Sequence, residues 1–257
     1  MERDHWWFAG KRQIVLRLLK RYIRTTGARA RVADLGCGCG MMLSDLSRDY
    51  EAVGVDGSPE AIGFCQQRGV DARLCRLPSY VPLARGSFDA VLLLDVLEHL
   101  QEDKASARVA VDLLKPDGLL ICTVPAHMWL WTERDEHHHH FRRYSRRRFQ
   151  SLLQQPNLKI ELFNHLNSLL FLPAAVGRLW TKLFAKGEVT DLALPPPKLN
   201  LLLTKVFASE RRFIQKTPIP VGLSFIAVAR KLPISESHEA AADPASPSAH
   251  PDGPRVA

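Results

Sequence analysis

Cysteine is scarce in this sequence and shows no pairing pattern. Of the 257 residues, 5 are cysteines, an odd number scattered over the first half of the chain. This excludes the disulfide framework of small secreted proteins and favours a reducing compartment. The first eight residues include acids and lack the apolar stretch of a secretory signal peptide. Together these features predict a cytoplasmic protein.

Long uninterrupted apolar runs are also missing. The most apolar stretch, residues 169–184, is broken by Pro173, Gly177, Arg178 and Lys182. It falls short of the roughly 20 apolar residues that a spanning helix needs. Three interpretations stay open: a buried helix, a wall of a hydrophobic acceptor pocket, or an amphipathic element on a membrane surface. Peripheral membrane contact is therefore an alternative to a purely cytoplasmic location.

Signatures of nucleic-acid modules are absent, although the chain is basic. The formal net charge is +8 and the sequence pI is about 9.4. Much of the excess lies in the first helix and in residues 142–148. Such clusters can form a solvated face or attract nucleic acid, an anionic membrane or a phosphorylated acceptor. Without a zinc finger or an RNA-recognition signature, nucleic acid is the less favoured partner.

Apolar runs and helical patterns alternate along most of the chain. Strands are predicted at residues 31–34, 52–56, 71–74, 88–94 and 119–124, with helical segments between them. The run at 88–94 is apolar on both faces, as in a central parallel strand covered by helices. Two more strands, at 158–163 and 223–228, are separated by far more residues than a hairpin loop holds. The fold class is therefore α/β: a Rossmann-like doubly wound sheet of about seven strands, with a helical insert between the last two.

Composition divides the chain into one domain and a tail. Residues 1–232 form the domain, in which 1–29 are an N-terminal helix or lid and 164–221 are the helical insert. Residues 233–257 are rich in Pro, Ala, Ser and Asp, which is typical of a disordered tail.

The first strand runs into a glycine loop at residues 34–40, with the sequence DLGCGCG. Residues without side chains let a ligand lie against the loop backbone. Asp56, at the end of the next strand, can accept hydrogen bonds from ribose hydroxyls. Dinucleotide loops have the spacing GxGxxG, whereas Met41 occupies the place of the third glycine here. Asp34 suits an ammonium group better than a diphosphate, so the loop favours S-adenosylmethionine over a nicotinamide dinucleotide.

Four motifs follow one another between residues 30 and 126. They are VADLGCGCG at 32–40, VGVD at 53–56, SFDAV with LDVLEHL at 87–100, and LKPDG at 114–118. In this order they resemble the motifs of the class I S-adenosylmethionine-dependent methyltransferases. The segment HWWF at 5–8 is similar to a bacterial subgroup of that family. By this resemblance the cofactor-binding residues are Asp34, Gly36, Cys37, Gly38, Gly40, Asp56, Asp95 and Val96.

Residues after the fifth strand are candidates for the acceptor side, because ligands of open α/β sheets bind outside the carboxyl ends of the strands. We expect Asp135, Arg142 and Tyr144 to form an acceptor rim, with a solvated loop as the alternative. Trp7 is expected to contact the substrate as part of a lid, or else to pack the first helix.

Two histidines are the candidate catalytic residues. An oxygen acceptor needs a base near its proton, and His99 and His140 are the candidates. A capping role for His99 is the competing interpretation. The run His137 to His140 cannot direct four consecutive side chains at one ion, and no Cys or acidic constellation completes a site, so no metal is expected.

These features predict an S-adenosylmethionine-dependent methyltransferase that acts by in-line transfer on a small-molecule or lipid-linked acceptor. An RNA methyltransferase and a non-catalytic protein that binds S-adenosylmethionine remain as alternatives. The spacing of the glycine loop disfavours a nicotinamide-dependent oxidoreductase. Acceptor identity and oligomeric state are not predicted.

Overall fold

A computed structural model describes residues 2–24, 29–184 and 194–233. Its helices are α1 (Trp6–Tyr22), α2 (Met41–Leu46), α3 (Pro59–Gln67), α4 (Asp103–Leu113), α5 (Glu133–His137), α6 (Arg146–Leu153), α7 (Phe171–Phe184) and α8 (Pro197–Ser209). Its strands are β1 (Arg31–Leu35), β2 (Glu51–Asp56), β3 (Ala72–Leu74), β4 (Phe88–Leu94), β5 (Leu114–Pro125), β6 (Leu158–Leu166) and β7 (Ser224–Lys231). Nearly all of the predicted tail lies outside the described residues.

The strands of the described ranges form one seven-stranded sheet in the order β3-β2-β1-β4-β5-β7-β6. The pairs from β3 through β5 are parallel, and β7 is antiparallel to both of its neighbours. Val91 of β4 lies opposite Ala33 of β1 and Leu120 of β5, at the centre of the sheet. Strand order reverses between β1 and β4, which is where ligands bind in doubly wound sheets. The predicted fold class is confirmed.

Helices cover both faces of the sheet and create two hydrophobic cores. Successive side chains of a strand point to opposite faces, and β4 shows this directly. Val91 and Leu93 pack in the core that includes α4 and α6. Ala90 and Leu92 pack in the core that includes α1, α2 and α8. All four side chains are fully buried, which explains the unbroken apolar run of β4.

Helix α1 packs closely against α8 of the insert. A Cβ atom on Gly10 would lie 2.6 Å from the ring of Phe207, so the close approach requires glycine. Asn200 of α8 joins the two segments further: its Oδ1 accepts from the Trp6 amide at 2.9 Å, and its Nδ2 donates to the Asp4 carbonyl at 2.6 Å. The N-terminal residues are therefore fastened to the insert.

The helical insert lies between β6 and β7, as expected, and begins at residue 167 rather than 164. Asn164 and His165 continue the ladder of β6 opposite Ile226 and Phe225. Their polar side chains obscured the strand pattern, but each makes a hydrogen bond inside the protein. Asn164 Nδ2 donates to the Ile214 carbonyl, and His165 Nδ1 lies 2.7 Å from the Ile219 carbonyl oxygen.

Buried Glu210 anchors the start of the insert. Its carboxylate accepts from the amides of Asn167, Ser168 and Leu169 at 2.6 to 3.0 Å. These are the backbone groups just before α7, and a carboxylate that accepts several amide hydrogen bonds holds such a turn in place. The anchor fixes where α7 leaves the sheet.

Helix α7 presents an apolar face to the surface. Leu172, Val176 and Trp180 are 70%, 57% and 63% exposed. Their spacing of four residues puts them on one side of the helix. Among the described helices, none combines the length and the apolar character needed to cross a membrane.

Candidate functional site

The glycine loop joins β1 to α2 at the carboxyl end of the sheet. Gly36, Gly38 and Gly40 have φ values of +78°, +54° and +82°, in the left-handed region that favours glycine. A Cβ atom on Gly36 would lie 2.4 Å from Cγ2 of Val96. Any side chain there would both strain the backbone and displace Val96. The loop conformation therefore requires glycine.

Hydrogen bonds fix the loop from below and from the side. The Gly36 and Cys37 amides donate to the Val55 carbonyl of β2 at 2.7 and 3.0 Å. The Gly38 amide donates to Asp56 Oδ2 at 2.9 Å, and the Cys39 amide to Glu2 Oε1 at 3.1 Å. No pattern in the sequence indicates that Glu2 approaches this loop.

Cys37 shapes the loop from underneath rather than through an exposed thiol. Its side chain is buried, and its Sγ would lie 2.7 Å from a Cβ placed on Gly54. Burial holds the pKa of the Cys37 thiol far above its usual range. Cys37, which was expected to bind the cofactor, packs beneath the loop.

Carboxylates cluster where β1, β2 and β4 end. Asp34 is 3% exposed, and burial raises its pKa to about 7 while Lys11 nearby opposes the rise. Asp56 Oδ1 accepts from the Ser58 amide at 2.9 Å in addition to the Gly38 contact. A carboxylate has about four lone-pair sites, so Asp56 keeps capacity for further donors. The group suits a ligand that carries a cation and hydroxyls.

Asp95 and Lys11 form a buried ion pair beside this cluster. Asp95 Oδ2 lies 2.6 Å from Lys11 Nζ, and Asp95 Oδ1 accepts from the Thr123 hydroxyl at 2.8 Å. Burial alone would raise the pKa of Asp95, but Lys11 outweighs it and holds the pKa below its usual value. Lys11 Nζ also lies 5.6 Å from the ring centroids of Trp7 and Phe8. Sequence reasoning missed Lys11, because its position among the basic residues of α1 did not distinguish it from a solvated charge.

His99 and His140 come together at the end of β4. Their ring centroids lie 4.6 Å apart with the planes at 81°. His140 Nδ1 lies 3.0 Å from Asp135 Oδ1, which fixes the orientation of that ring. Desolvation and the neighbouring His140 lower the pKa of His99 to about 4. The two candidate catalytic residues, which are 41 positions apart in the sequence, therefore share one site.

The carboxylate of Glu98 lies next to these two histidines, although no acidic residue was expected to complete a metal site. Glu98 Oε, one nitrogen of His99 and one of His140 all lie within 4.8 Å of one another. Sequence reasoning tested only the run from His137 to His140 for metal ligation. The carboxylate comes instead from the motif after β4, which the fold brings next to His140.

The expected acceptor rim needs correction at two positions. Tyr144 is fully buried and donates its hydroxyl to Asp103 Oδ2 at 3.0 Å. Asp135 is 1% exposed and is paired with Arg143 at 2.8 Å. Both residues were expected to touch the acceptor, but their side chains are inside the protein and hold the segment together. Arg142 is also paired, 2.7 Å from Asp103 Oδ2, with 13% of its side chain exposed.

Trp7 was expected either to contact the substrate as part of a lid or to pack the first helix, and its contacts show the packing role. Its ring stacks on Phe207 at 5.3 Å, which is the packing role, and it is half-buried rather than enclosed. Its neighbour Lys11 meets Asp95, so the same helix also reaches the carboxylate cluster.

Comparison with known proteins finds methyltransferases that match part of the chain. Residues 33–122, from β1 through most of β5, match the family model described as a methyltransferase domain. A ubiquinone biosynthesis O-methyltransferase from Xanthomonas oryzae is 33% identical over 130 residues. Both findings support a class I S-adenosylmethionine-dependent methyltransferase domain in the matched part of the chain. That alignment covers 46% of this chain and 54% of the relative, so the chain matches only about half the length of this curated methyltransferase.

Solved methyltransferases share the fold. An S-adenosylmethionine-dependent methyltransferase from Archaeoglobus fulgidus superposes with a TM-score of 0.52 at 18% identity, covering 86% of this chain and 94% of that one. The geranyl diphosphate C-methyltransferase of Streptomyces coelicolor, solved with Mg²⁺, geranyl diphosphate and S-adenosylhomocysteine, gives 0.52 at 16% identity, covering 83% and 75%.

The residues present fit the family cofactor, S-adenosylmethionine. Gly36 packs against Val96 with no room for a side chain, which holds the loop backbone close to the end of β4. The carboxylates of Asp34 and Asp56 supply acceptors for an ammonium group and for ribose hydroxyls. These acceptor groups therefore agree with a sulfonium cofactor that has an amino group and no phosphate.

Proposed function

We propose that this methyltransferase transfers a methyl group from S-adenosylmethionine to a hydroxyl of a small-molecule or lipid-linked acceptor. The observation that carries the proposal is the joint position of the glycine loop, the carboxylate cluster and the His99–His140 pair at the carboxyl end of the parallel strands.

Asp34, Asp56, Asp95 and the glycine loop are the proposed cofactor contacts. Asp56 binds the ribose hydroxyls while it holds the loop amide of Gly38. Asp34, at the end of β1, binds the ammonium group, and this added cation brings its raised pKa back down. Val96 and Gly36 line the cofactor, and Lys11 balances the charge of Asp95.

The cofactor supplies an activated methyl group on a sulfonium, so the protein mainly positions the acceptor and excludes water. A hydroxyl must also lose its proton as the new oxygen–carbon bond forms. We infer that His99 and His140 assist this loss. This inference is supported by the contact between the two rings and by the hydrogen bond between Asp135 and His140 Nδ1. That bond leaves Nε2 of His140 available to an acceptor.

An exposed apolar face on α7, the helix that packs on the segment of His140, favours a hydrophobic acceptor. Arg178 of α7 donates to the Leu130 carbonyl at 3.2 Å and lies 3.6 Å from Asp135 Oδ2. Helix α7 therefore packs on the segment that carries His140. The apolar face formed by Leu172, Val176 and Trp180 could accommodate the apolar part of a lipid-linked acceptor or rest on a membrane surface. The relative from Xanthomonas oryzae is named for ubiquinone biosynthesis, which agrees with an apolar acceptor.

Transfer of labelled methyl into a cell extract tests the function. The full chain and methyl-labelled S-adenosylmethionine are incubated with an extract from the source cells, which is then partitioned into lipid, nucleic acid and water-soluble fractions. Label is expected in the lipid or small-molecule fraction and lost with Asp56→Ala. Label confined to RNA would overturn the acceptor class. Binding of S-adenosylmethionine without transfer to any fraction would instead identify a non-catalytic binding protein.

A further inference from the structure

Glu98 is a buried carboxylate with an unused oxygen. It lies in the short 3-10 helix Leu97–His99 that follows β4, and its residue is 1% exposed. Among the described residues, Glu98 Oε2 has no hydrogen-bond partner. Burial of a charged carboxylate without a partner is costly, and a nearby cation relieves that cost.

Two imidazoles stand next to this carboxylate in an arrangement typical of metal ligands. His140 Nδ1 lies 3.0 Å from Asp135 Oδ1, which leaves Nε2 as the ring nitrogen available to an ion. Metal-binding histidines usually have a carboxylate on the other ring nitrogen, because it fixes the tautomer and makes the ring a better ligand. Asp135 is itself held by Arg143 and by the Thr132 amide, so the support is rigid. His99 meets His140 edge to face at 4.6 Å between ring centroids.

We infer that Glu98, His99 and His140 bind one divalent transition-metal ion. One ligand atom from each residue lies within 4.8 Å of the other two, so small side-chain rotations bring all three onto a common ion. Two imidazoles and one carboxylate are the ligand set of catalytic zinc sites and of sites for other divalent ions such as Mn²⁺ and Fe²⁺. Three protein ligands leave a coordination position open for an acceptor oxygen.

This inference rests on the proposed function and states how the histidines assist proton loss. An ion held by these residues would lower the pKa of an acceptor hydroxyl, whose proton would pass to water. The resulting oxyanion forms the oxygen–carbon bond while the sulfur–carbon bond breaks and the electron pair stays on sulfur. The imidazoles act as ligands in this scheme, and no oxidant or reductant is required.

Metal binding can be measured without any acceptor. The full chain is freed of metal by dialysis against a chelator and titrated with Mn²⁺ by electron paramagnetic resonance and with Zn²⁺ in competition with a chromophoric chelator. We expect one ion per chain. Glu98→Gln and His140→Ala should each weaken binding by at least 100-fold, and Asp135→Asn by about 10- to 100-fold because it acts through His140.

A matched control separates this site from the neighbouring histidine run. The double variant His137→Ala/His139→Ala removes two imidazoles of the exposed segment and keeps all three proposed ligands. Its affinity for the ion should equal that of the wild type. Circular dichroism and S-adenosylmethionine binding of Glu98→Gln show whether the variant is folded with an intact cofactor site.

Two results would overturn the inference. One is the absence of stoichiometric binding of either ion, and the other is binding that Glu98→Gln leaves unchanged while the His137/His139 variant abolishes it. If S-adenosylmethionine binds and label is transferred in the presence of chelator, the proposed function stands and the metal site is wrong. If the ion binds but S-adenosylmethionine does not, the proposed function fails independently.

Discussion

The conformation of Gly36 allows one substitution to be worked out in detail. In Gly36→Ala the new Cβ meets Val96 Cγ2 at 2.4 Å while φ is +78°. A left-handed alanine costs roughly 1–2 kcal/mol, and overpacking a tight site costs about 1–3 kcal/mol. The variant should therefore be destabilised by roughly 2–5 kcal/mol. At 2–4 °C per kcal/mol for a domain of this size, Tm falls by roughly 4–20 °C.

A double-mutant cycle separates the two contributions. Val96→Ala removes Cγ2 and Cγ1, which the new methyl group meets at 2.4 and 3.1 Å, and keeps only Cβ at 3.3 Å. Mainly the backbone strain therefore remains in the double variant. Urea unfolding should give a coupling free energy of about 1–3 kcal/mol between the two positions. Gly63→Ala is the matched control, since its Cβ meets nothing within 4 Å inside α3. It should be neutral or stabilising by up to about 1 kcal/mol.

Cofactor binding should follow the loop rather than the overall stability. At a temperature where the variant is folded, Gly36→Ala is expected to lower the affinity for S-adenosylmethionine at least tenfold. Gly63→Ala should bind S-adenosylmethionine with the affinity of the wild type. Unchanged stability and unchanged affinity in Gly36→Ala would contradict both the left-handed conformation of the loop and its part in cofactor binding.

Three more outcomes are expected. Asp56→Ala should weaken the binding of S-adenosylmethionine at least 100-fold by calorimetry, and Asp56→Asn should weaken it less. Equal affinity in the wild type and both variants would show that Asp56 does not bind the cofactor. Burial would raise the pKa of Asp103, but Arg142 and Tyr144 outweigh it and keep that pKa below its ordinary 3.8. The stabilisation is therefore present above pH 3.8 and is lost as the pH falls through the folded-state pKa. Asp103→Asn should cost about 3 kcal/mol at pH 7, and progressively less below pH 3.8, by urea unfolding. Trp180→Ser should reduce sedimentation with anionic lipid vesicles several-fold while leaving S-adenosylmethionine affinity unchanged, and equal sedimentation would argue against a membrane role for α7.

The parallel part of the sheet was predictable because its signals are local. A run that is apolar on both faces, such as residues 88–94, has few alternatives to a central strand. The glycine spacing and Asp56 also follow from local needs, since a close backbone approach requires glycine and a strand end presents an acid at the switch point. These predictions concern residues close to one another along the chain.

The acceptor side was less predictable because distant segments build it. Asp135 and Tyr144 resemble rim residues in the sequence, yet the fold turns them inward, where Arg143 and Asp103 satisfy them. Glu98 appears as part of a familiar motif, and nothing local indicates that its carboxylate meets His140. Polar residues that satisfy one another across the fold give no periodic signal.

A calorimetric titration of the full chain with S-adenosylmethionine tests whether the glycine loop and its carboxylates bind this cofactor. We predict binding of one molecule per chain, competition by S-adenosylhomocysteine, and loss of the signal in Asp56→Ala. A wild-type protein that is folded and shows no binding, or that binds a nicotinamide dinucleotide in its place, would contradict this prediction.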